Sequence, residues 1–228
     1  METVGNLRAE EILEALDNEQ RAVALATRGP VCVIAGAGTG KTRAITHRIA
    51  YAAAIGTMDP HKVLALTFTA RAAGEMRTRL RSLGVPTVAA RTIHSAALKQ
   101  LLYFWPSVFG GRTPDLMTTK TGFLTEAINR AGLSDSIRAT NRELMRDIAS
   151  EIEWAKVLEI SPDNYQEEAI ANNRLVRLPN SKGESENLSM VAQVYEAYES
   201  LKKQERTLDF EDVLLLTVGM LEEDRGVR

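Results

Sequence analysis

Aromatic side chains are scarce in this 228-residue chain, at 5% of positions. Its core must therefore be built mostly from aliphatic residues. Cysteine is scarcer still: Cys32 stands alone, which excludes a disulfide within the chain. Inside the apolar run VCVIA it reads as a small buried hydrophobe in a strand. There is no run of about 18 apolar residues, so no membrane span or membrane partner is expected. The polar, acidic start METVGNLRAEE lacks a signal-peptide core, which makes a cytoplasmic protein the expectation. An excess of charge is also lacking. The formal net charge is −2, which does not announce a nucleic-acid binder, yet a local basic stripe is enough to engage phosphates. The remaining composition, 44% hydrophobic and 25% charged, suits a globular chain of one large or two small domains.

The hydrophobic periodicity predicts an ordered series of elements. LDNEQRAVALAT opens a helix, with Asp17 as cap and Gln20 as its reciprocal partner, and Arg28-Gly29-Pro30 ends it. VCVIAG reads as a buried strand, and KTRAITHRIAYAAAIG as a helix closing near Gly56. KVLALTF is a second buried strand, Thr69 caps the helix ARAAGEMRTRLRSLG, and TVAART is a third strand before the helical SAALKQLLYF. This β-α-β-α-β-α order is the pattern of a parallel sheet covered by helices, an α/β fold. After Trp105-Pro106 the pattern turns helical throughout, with no convincing strand from about 107 to 205. Thr140 and Glu143 form a capping box there, and Ser161-Pro162 reads as cap plus first-turn proline. Leu188, Val191, Tyr195, Tyr198 and Leu201 mark one face of a long helix. Residues 105–205 thus read as an all-helical subdomain inserted into an α/β domain of residues 1–104, and 206–228 as the return to that domain. Asp209 is placed to cap the final helix.

The chemistry is concentrated in AGAGTGKT. This loop, Ala35-Gly36-Ala37-Gly38-Thr39-Gly40-Lys41-Thr42, departs from G-x-x-x-x-G-K-[ST] only at Ala35. It follows a predicted strand and opens a predicted helix, the context a P-loop requires. Gly36, Gly38 and Gly40 are expected at positive φ, bringing backbone N–H groups to phosphate oxygens. The helix N-terminus adds partial positive charge. Lys41 would reach the β and γ phosphates, and the Thr42 hydroxyl would bind Mg2+. The signal is specific for a nucleoside triphosphate such as ATP and silent on what the triphosphate drives.

Five further pieces surround the loop in order: LDNEQ, TFTARAAGEM, RTIHSAALKQL, the helical insert and LDFEDVLLL. As an ordered set they resemble the UvrD/Rep/PcrA family of superfamily 1 DNA helicases, over essentially the whole chain. YFWP and EIEWAK look like the second UvrD-type paralogues of actinobacteria. The resemblance implies a RecA-like P-loop NTPase fold, ATP and Mg2+ as cofactors, and single-stranded and duplex DNA as partners, with 3′→5′ polarity. Gln20 matches the glutamine that reads adenine, beside its local role as capping partner. Arg43 matches the arginine that contacts the nucleotide. Thr67, Phe68 and Thr69 match a DNA-contacting motif at the end of a strand, where Phe68 would stack on a base. The family usually has Asn-Lys where this chain has Ala70-Arg71, so Arg71 keeps only the charge. Arg71, Arg77, Arg79 and Arg81 enrich the next helix, either against a DNA backbone or as a solvated face. Thr92, His94 and Ser95 match the next DNA motif, with Ile93 in place of the usual Phe. Asp209, Phe210 and Asp212 match a short acidic motif after the insert.

Hydrolysis also needs an acidic residue for Mg2+ and a carboxylate that orients water. In this family both follow the DFED segment on a strand, and VGMLEED reads instead as more helix. The expectation is therefore an N-terminal portion that holds ATP, Lys41 and Thr42 included, but is catalytically incomplete. The sheet would be incomplete as well, with unpaired edges, and the second motor domain would be a missing partner. Two rival readings stand beside this: a non-catalytic nucleotide- or DNA-binding fragment, and a P-loop small-molecule kinase with a helical lid.

Overall fold

The computed structural model describes residues 2–134, 142–174, 176–178, 183–223 and 226, with side chains from Arg8 onward. Thr140, the expected capping-box residue, lies outside them. The protein is mixed α/β and helix-rich, and its described residues divide into two compact units, 1–96 and 97–228. The expected boundary at 104/105 falls inside a helix.

The first unit begins with α1 (Glu2–Glu14) and α2 (Asn18–Leu25). Asp17 caps α2 by accepting from the Gln20 backbone N–H at 2.8 Å. The stretch 26–36, expected to contain a buried strand, has no ladder partner and is irregular. Val31 and Val33 are about two-fifths exposed, Ile34 is 96% exposed, and Cys32 is exposed rather than buried. Apolar β-branched residues favour a strand only when another strand accepts their hydrogen bonds, and none does so among the described residues.

Next come α3 (Lys41–Ala54), β1 (Leu64–Thr67), α4 (Ala70–Ser82) and β2 (Ala89–Thr92). β1 and β2 pair in parallel, running from Leu64 opposite Ala89 to Thr67 opposite Thr92. The expected three-stranded sheet is thus two-stranded here. Ala65 and Ala90 point inward, where their small side chains meet Ile49, Met76 and Leu80. Leu64 and Leu66 sit about half exposed on the opposite face, so β1 is not the doubly buried strand its composition suggested. Thr69 caps α4 by accepting from the Ala72 N–H at 3.1 Å. Arg77 donates to the Ala90 carbonyl at 2.8 Å, tying α4 to β2.

α5 (Ile93–Val108) runs through Pro106. Proline already has helical φ, so the cost is one lost backbone hydrogen bond and some crowding. The second unit then holds β3 (Asp115–Leu116), α6 (Thr121–Arg130), α7 (Arg142–Val157), α8 (Tyr165–Ala171), α9 (Glu184–Glu205), β4 (Thr207–Leu208) and α10 (Phe210–Glu223). β3 and β4 pair in parallel, so this region is not all-helical. Two residues per strand give no detectable period in sequence. β4 and α10, expected to rejoin the first domain, belong to this unit. The predicted face of α9 is buried in full: Leu188, Val191, Tyr195, Tyr198 and Leu201 pack with Leu124, Ile128 and Ile148.

An ionic cluster lies against this core. Lys156 (α7) contacts Asp209 at 2.7 Å, Asp212 at 2.5 Å and Glu199 at 3.2 Å. Lys202 (α9) contacts Glu199 at 2.8 Å, Asp209 at 3.0 Å and Asp212 at 2.7 Å. The Tyr198 hydroxyl donates to Asp209 at 3.1 Å. Asp209 also caps α10: it accepts from the Asp212 N–H, and the Asp212 carboxylate accepts from the Asp209 N–H, each at 3.0 Å. Burial disfavours the Asp209 charge, but the Lys156 and Lys202 ammoniums outweigh it and hold its carboxyl well below 3.8. A depressed carboxyl contributes stability above its unfolded pKa and loses that contribution as pH falls through the folded one. Asp209→Asn should therefore cost about 3–5 kcal/mol, the range for breaking a buried pair. It should also flatten the loss of stability below pH ~3.8. Urea unfolding as a function of pH reads both; a loss under about 1 kcal/mol would mean that relaxation compensates the stranded lysines.

Candidate nucleotide and nucleic-acid sites

The P-loop is a left-handed turn feeding a helix. Gly38 and Gly40 take φ +79° and +80°, a region that costs other L-residues about 1–2 kcal/mol. Gly36 does not, contrary to expectation: its φ is ordinary, and a Cβ there would meet only Thr39 Cγ2 at 3.8 Å. Gly40 is the N-cap of α3 and offers no side-chain cap, and no acidic residue lies in the first turn. The first-turn N–H groups thus face the loop, the arrangement that receives anions. The Lys41 ammonium donates to the carbonyls of Ala35, at 3.1 Å, and Gly36. The Thr39 hydroxyl donates to Gly36 O at 2.9 Å. Ala37 is exposed at the tip of the turn, Thr42 is half-buried in the first turn, and Arg43 is exposed.

Gln20 does not complete a capping box. Its side-chain amide instead donates across to the Thr39 carbonyl at 3.1 Å. A Cβ on Gly40 would lie 2.5 Å from that same nitrogen. Gly40 is therefore required twice, by its φ and by the approach of Gln20. A cleft of ≈ 520 Å³ opens beside the loop, lined by Gln20, Val23, Val31, Ile34, Ala35 and Lys41. It is apolar on one wall and cationic at its end. Its carboxylates are Asp17, which caps α2, and Glu19.

These residues fit a nucleoside triphosphate with Mg2+. The left-handed glycines, the uncapped helix start and the Lys41 ammonium suit its phosphates, and Thr42 brings a hydroxyl to the first turn of α3 beside them. A second acidic group, Glu199, Asp209 and Asp212, has oxygens within 4.8 Å of one another. Lys156 and Lys202 already occupy it, each paired with all three carboxylates, which leaves little for a cation to replace.

The β1–β2 register brings the two segments expected from sequence to contact DNA side by side, since Thr67 and Thr92 are paired partners at the carboxyl ends of their strands. Phe68 follows directly and is 90% exposed, not a core residue. Thr69 and Thr92 each use Oγ1 as a helix-cap acceptor, towards Ala72 N and Ser95 N at 3.1 Å. Their hydroxyl protons stay available for donation. Ser95 is exposed and His94 half-buried. Arg71 is almost fully exposed in an i,i+4 pair with Glu75 at 3.1 Å, a contact too solvated to hold it. Of the four arginines on α4, Arg77 is committed to Ala90.

The chain matches the UvrD/REP helicase N-terminal domain over residues 16–228. It belongs to that family. It is 42% identical over 97% of its length to the ATP-dependent DNA helicase UvrD2 of Mycobacterium tuberculosis, covering 31% of that protein. To the ATP-dependent DNA helicases PcrA of Leuconostoc citreum and Staphylococcus aureus it is 29% and 28% identical, over 95% and 92% of this chain and 27% of each relative. The chain thus spans about a third or less of the length of these relatives. No helix among the described residues is long and apolar enough to cross a membrane.

Sequence reasoning missed the Gln20 contact to Thr39, because a capping partner three residues on was the nearer explanation. It missed the lysine partners of Asp209 because they lie 53 and 7 residues away.

Gly40→Ala should lower stability by about 1–2 kcal/mol through φ alone, and displace Gln20 as well. Gly36→Ala should be close to neutral for folding. Equal thermal midpoints for the two variants would contradict the assignment of the left-handed positions.

Proposed function

We propose that this chain is the nucleotide-binding portion of an ATP-dependent DNA helicase, acting in the cytoplasm on single-stranded and duplex DNA. In this reading the first unit is the P-loop part of a RecA-like motor domain, and the second is its helical subdomain with the DFED return. The observation that carries it is the conjunction at one loop: two left-handed glycines, an uncapped helix start, Lys41, and Gln20 reaching the same turn. Membership of the family supplies the rest of the inference.

Lys41 would exchange its loop carbonyls for phosphate oxygens, a charge-assisted contact worth more than the neutral ones it leaves. Thr42 would hold Mg2+, whose chemistry is to neutralise charge developing on the phosphates. Gln20 would present an amide that donates and accepts side by side, which suits the adenine edge, and Arg43 would meet the nucleotide from the exposed first turn of α3. Phe68, beside Thr67 and Thr69, would stack on a base, while Thr92, His94 and Ser95 hold a phosphate. Arg71 would add charge there. Thr69 and Thr92 suit this role because capping leaves each hydroxyl proton free to donate.

Among the described residues the cleft offers no carboxylate beyond Asp17 and Glu19, and neither is placed on a strand end beside Thr42. The 228-residue chain is therefore expected to bind Mg-ATP with negligible turnover, with or without single-stranded DNA. Lys41→Ala should weaken binding roughly 10- to 150-fold, the equivalent of one charged hydrogen bond. Calorimetry and a phosphate-release assay measure the two quantities. DNA-stimulated turnover abolished by Lys41→Ala would overturn the incomplete-motor part of the reading. Phosphoryl transfer to a small acceptor without DNA would overturn the helicase part.

A further inference from the structure

α2 is held to the P-loop and its helix at both ends. At its start, the Gln20 amide donates to the Thr39 carbonyl at 3.1 Å. At its close, the chain turns through Ala26, whose φ and ψ are −76° and 68°. The Thr27 N–H donates back to the Leu25 carbonyl at 2.9 Å, which makes this an inverse γ-turn. The turn swings the Ala26 carbonyl out of the helical direction and leaves it as a helix-end acceptor in need of a donor. Arg48, half-buried on α3, supplies one: its Nε–H donates to that carbonyl at 2.7 Å, from 22 residues away in sequence. The bond is charge-assisted and as short as such bonds run. Among the described residues, these are the two hydrogen bonds that join the α2 segment, 18–26, to the P-loop and α3.

The two ties differ in what a ligand does to them. Gln20, Val23 and Ala26 line the cleft beside the loop, and Arg48 does not. When Gln20 turns to a base, its amide leaves Thr39 and the first tie is lost. An occupant of the cleft has no cause to displace the second, so Arg48 remains as the polar contact that fixes α2 against α3. Hydrogen bonding falls off steeply with distance and angle, and the selectivity of an amide depends on the helix that carries it staying still. On one edge, guanine presents two acceptors, N7 and O6, where adenine presents an acceptor and a donor. A fixed Gln20 amide satisfies the second pair and not the first. An amide on a loose helix shifts to make one bond with either.

We propose that Arg48 is a positioning residue for base selection. By holding the Ala26 end of α2 to α3, it sets where Gln20 and the Val23 wall stand relative to the P-loop, and so sets the preference for adenine over guanine. Arg48 touches neither base nor phosphate and acts through Gln20. The proposal deepens the nucleotide-binding reading above and rests on it.

The test measures binding of ATP, GTP and inorganic tripolyphosphate, each with Mg2+, to the whole chain by calorimetry. Arg48→Met keeps the length of the side chain and removes the donor. It should lower the preference for ATP over GTP roughly 2- to 13-fold, the worth of one neutral hydrogen bond. Tripolyphosphate, which has no base, should bind as before. Arg48→Gln carries an amide nitrogen at the position of the arginine Nε and should retain most of the preference. In a Gln20→Ala background, Arg48→Met should have no further effect on the preference, because the two act through one contact. Equal weakening of all three ligands by Arg48→Met, with the preference intact, would make Arg48 a structural tie and overturn the proposal. If Gln20→Ala lowers the preference and Arg48→Met does not, the proposal falls and the Gln20 assignment stands. If the unaltered chain shows no preference, or Gln20→Ala leaves it unchanged, the Gln20 assignment falls and takes the proposal with it. Arg48→Leu, which also lacks a donor, replaces Arg48→Met if that variant does not fold. Failure of both to fold, with Arg48→Gln folded, would make the bond a requirement of the fold and overturn the proposal.

Discussion

Four residue pairs between β1 and β2 fix the geometry on which the rest of the first unit depends. Parallel pairing makes both strands end at the same edge, and the register sets Thr67 opposite Thr92. Because side chains alternate along a strand, a slip of one position would turn Ala65 and Ala90 outward and drive Leu64 and Leu66 under α3 and α4. The alanines permit close approach of those helices, and the leucines would not. The sheet register and the position of Phe68 are therefore one constraint seen from two ends. Thr69 and Thr92 then start the helices that leave the edge, so both caps sit where the two strands end.

Much of this was legible in sequence, where the information is local. Asp17, Thr69 and Asp209 each announce a helix start through a side chain that reaches three residues ahead, and each does so in the structure. The glycines of the P-loop announce a left-handed turn, and two of three adopt it. The buried stripe of α9 follows from its spacing alone. Strand pairing is a different kind of information. VCVIA has the composition of a strand, but composition does not supply a partner, and residues 26–36 have none among those described. The β3–β4 pair is too short to carry a pattern. It is recognisable only once Asp115 and Thr207 are found side by side.

The second unit depends on charge in a way no local rule would reveal. Asp209 looks like an ordinary cap, and it is one, yet its carboxylate also meets two ammonium groups and a phenol from α7 and α9. The start of α10 is thereby fixed to two other helices at a single oxygen pair. A polar set of this kind favours one arrangement over its neighbours, since any shift leaves a buried charge without its counter-charge. Glu151 repeats the logic on a smaller scale. It accepts from Tyr165 at 3.0 Å and pairs with Arg174, whose guanidinium lies over Trp154.

The single cysteine gives the cleft beside the P-loop a native chemical handle. Cys32 is exposed and lines the same cleft as Gln20 and Lys41. Thiol-directed reagents therefore have one address on this chain, and it lies beside the P-loop. A fluorophore or spin label attached there would stand where any occupant of the cleft must alter its surroundings. No residue would need to be removed or introduced to place it.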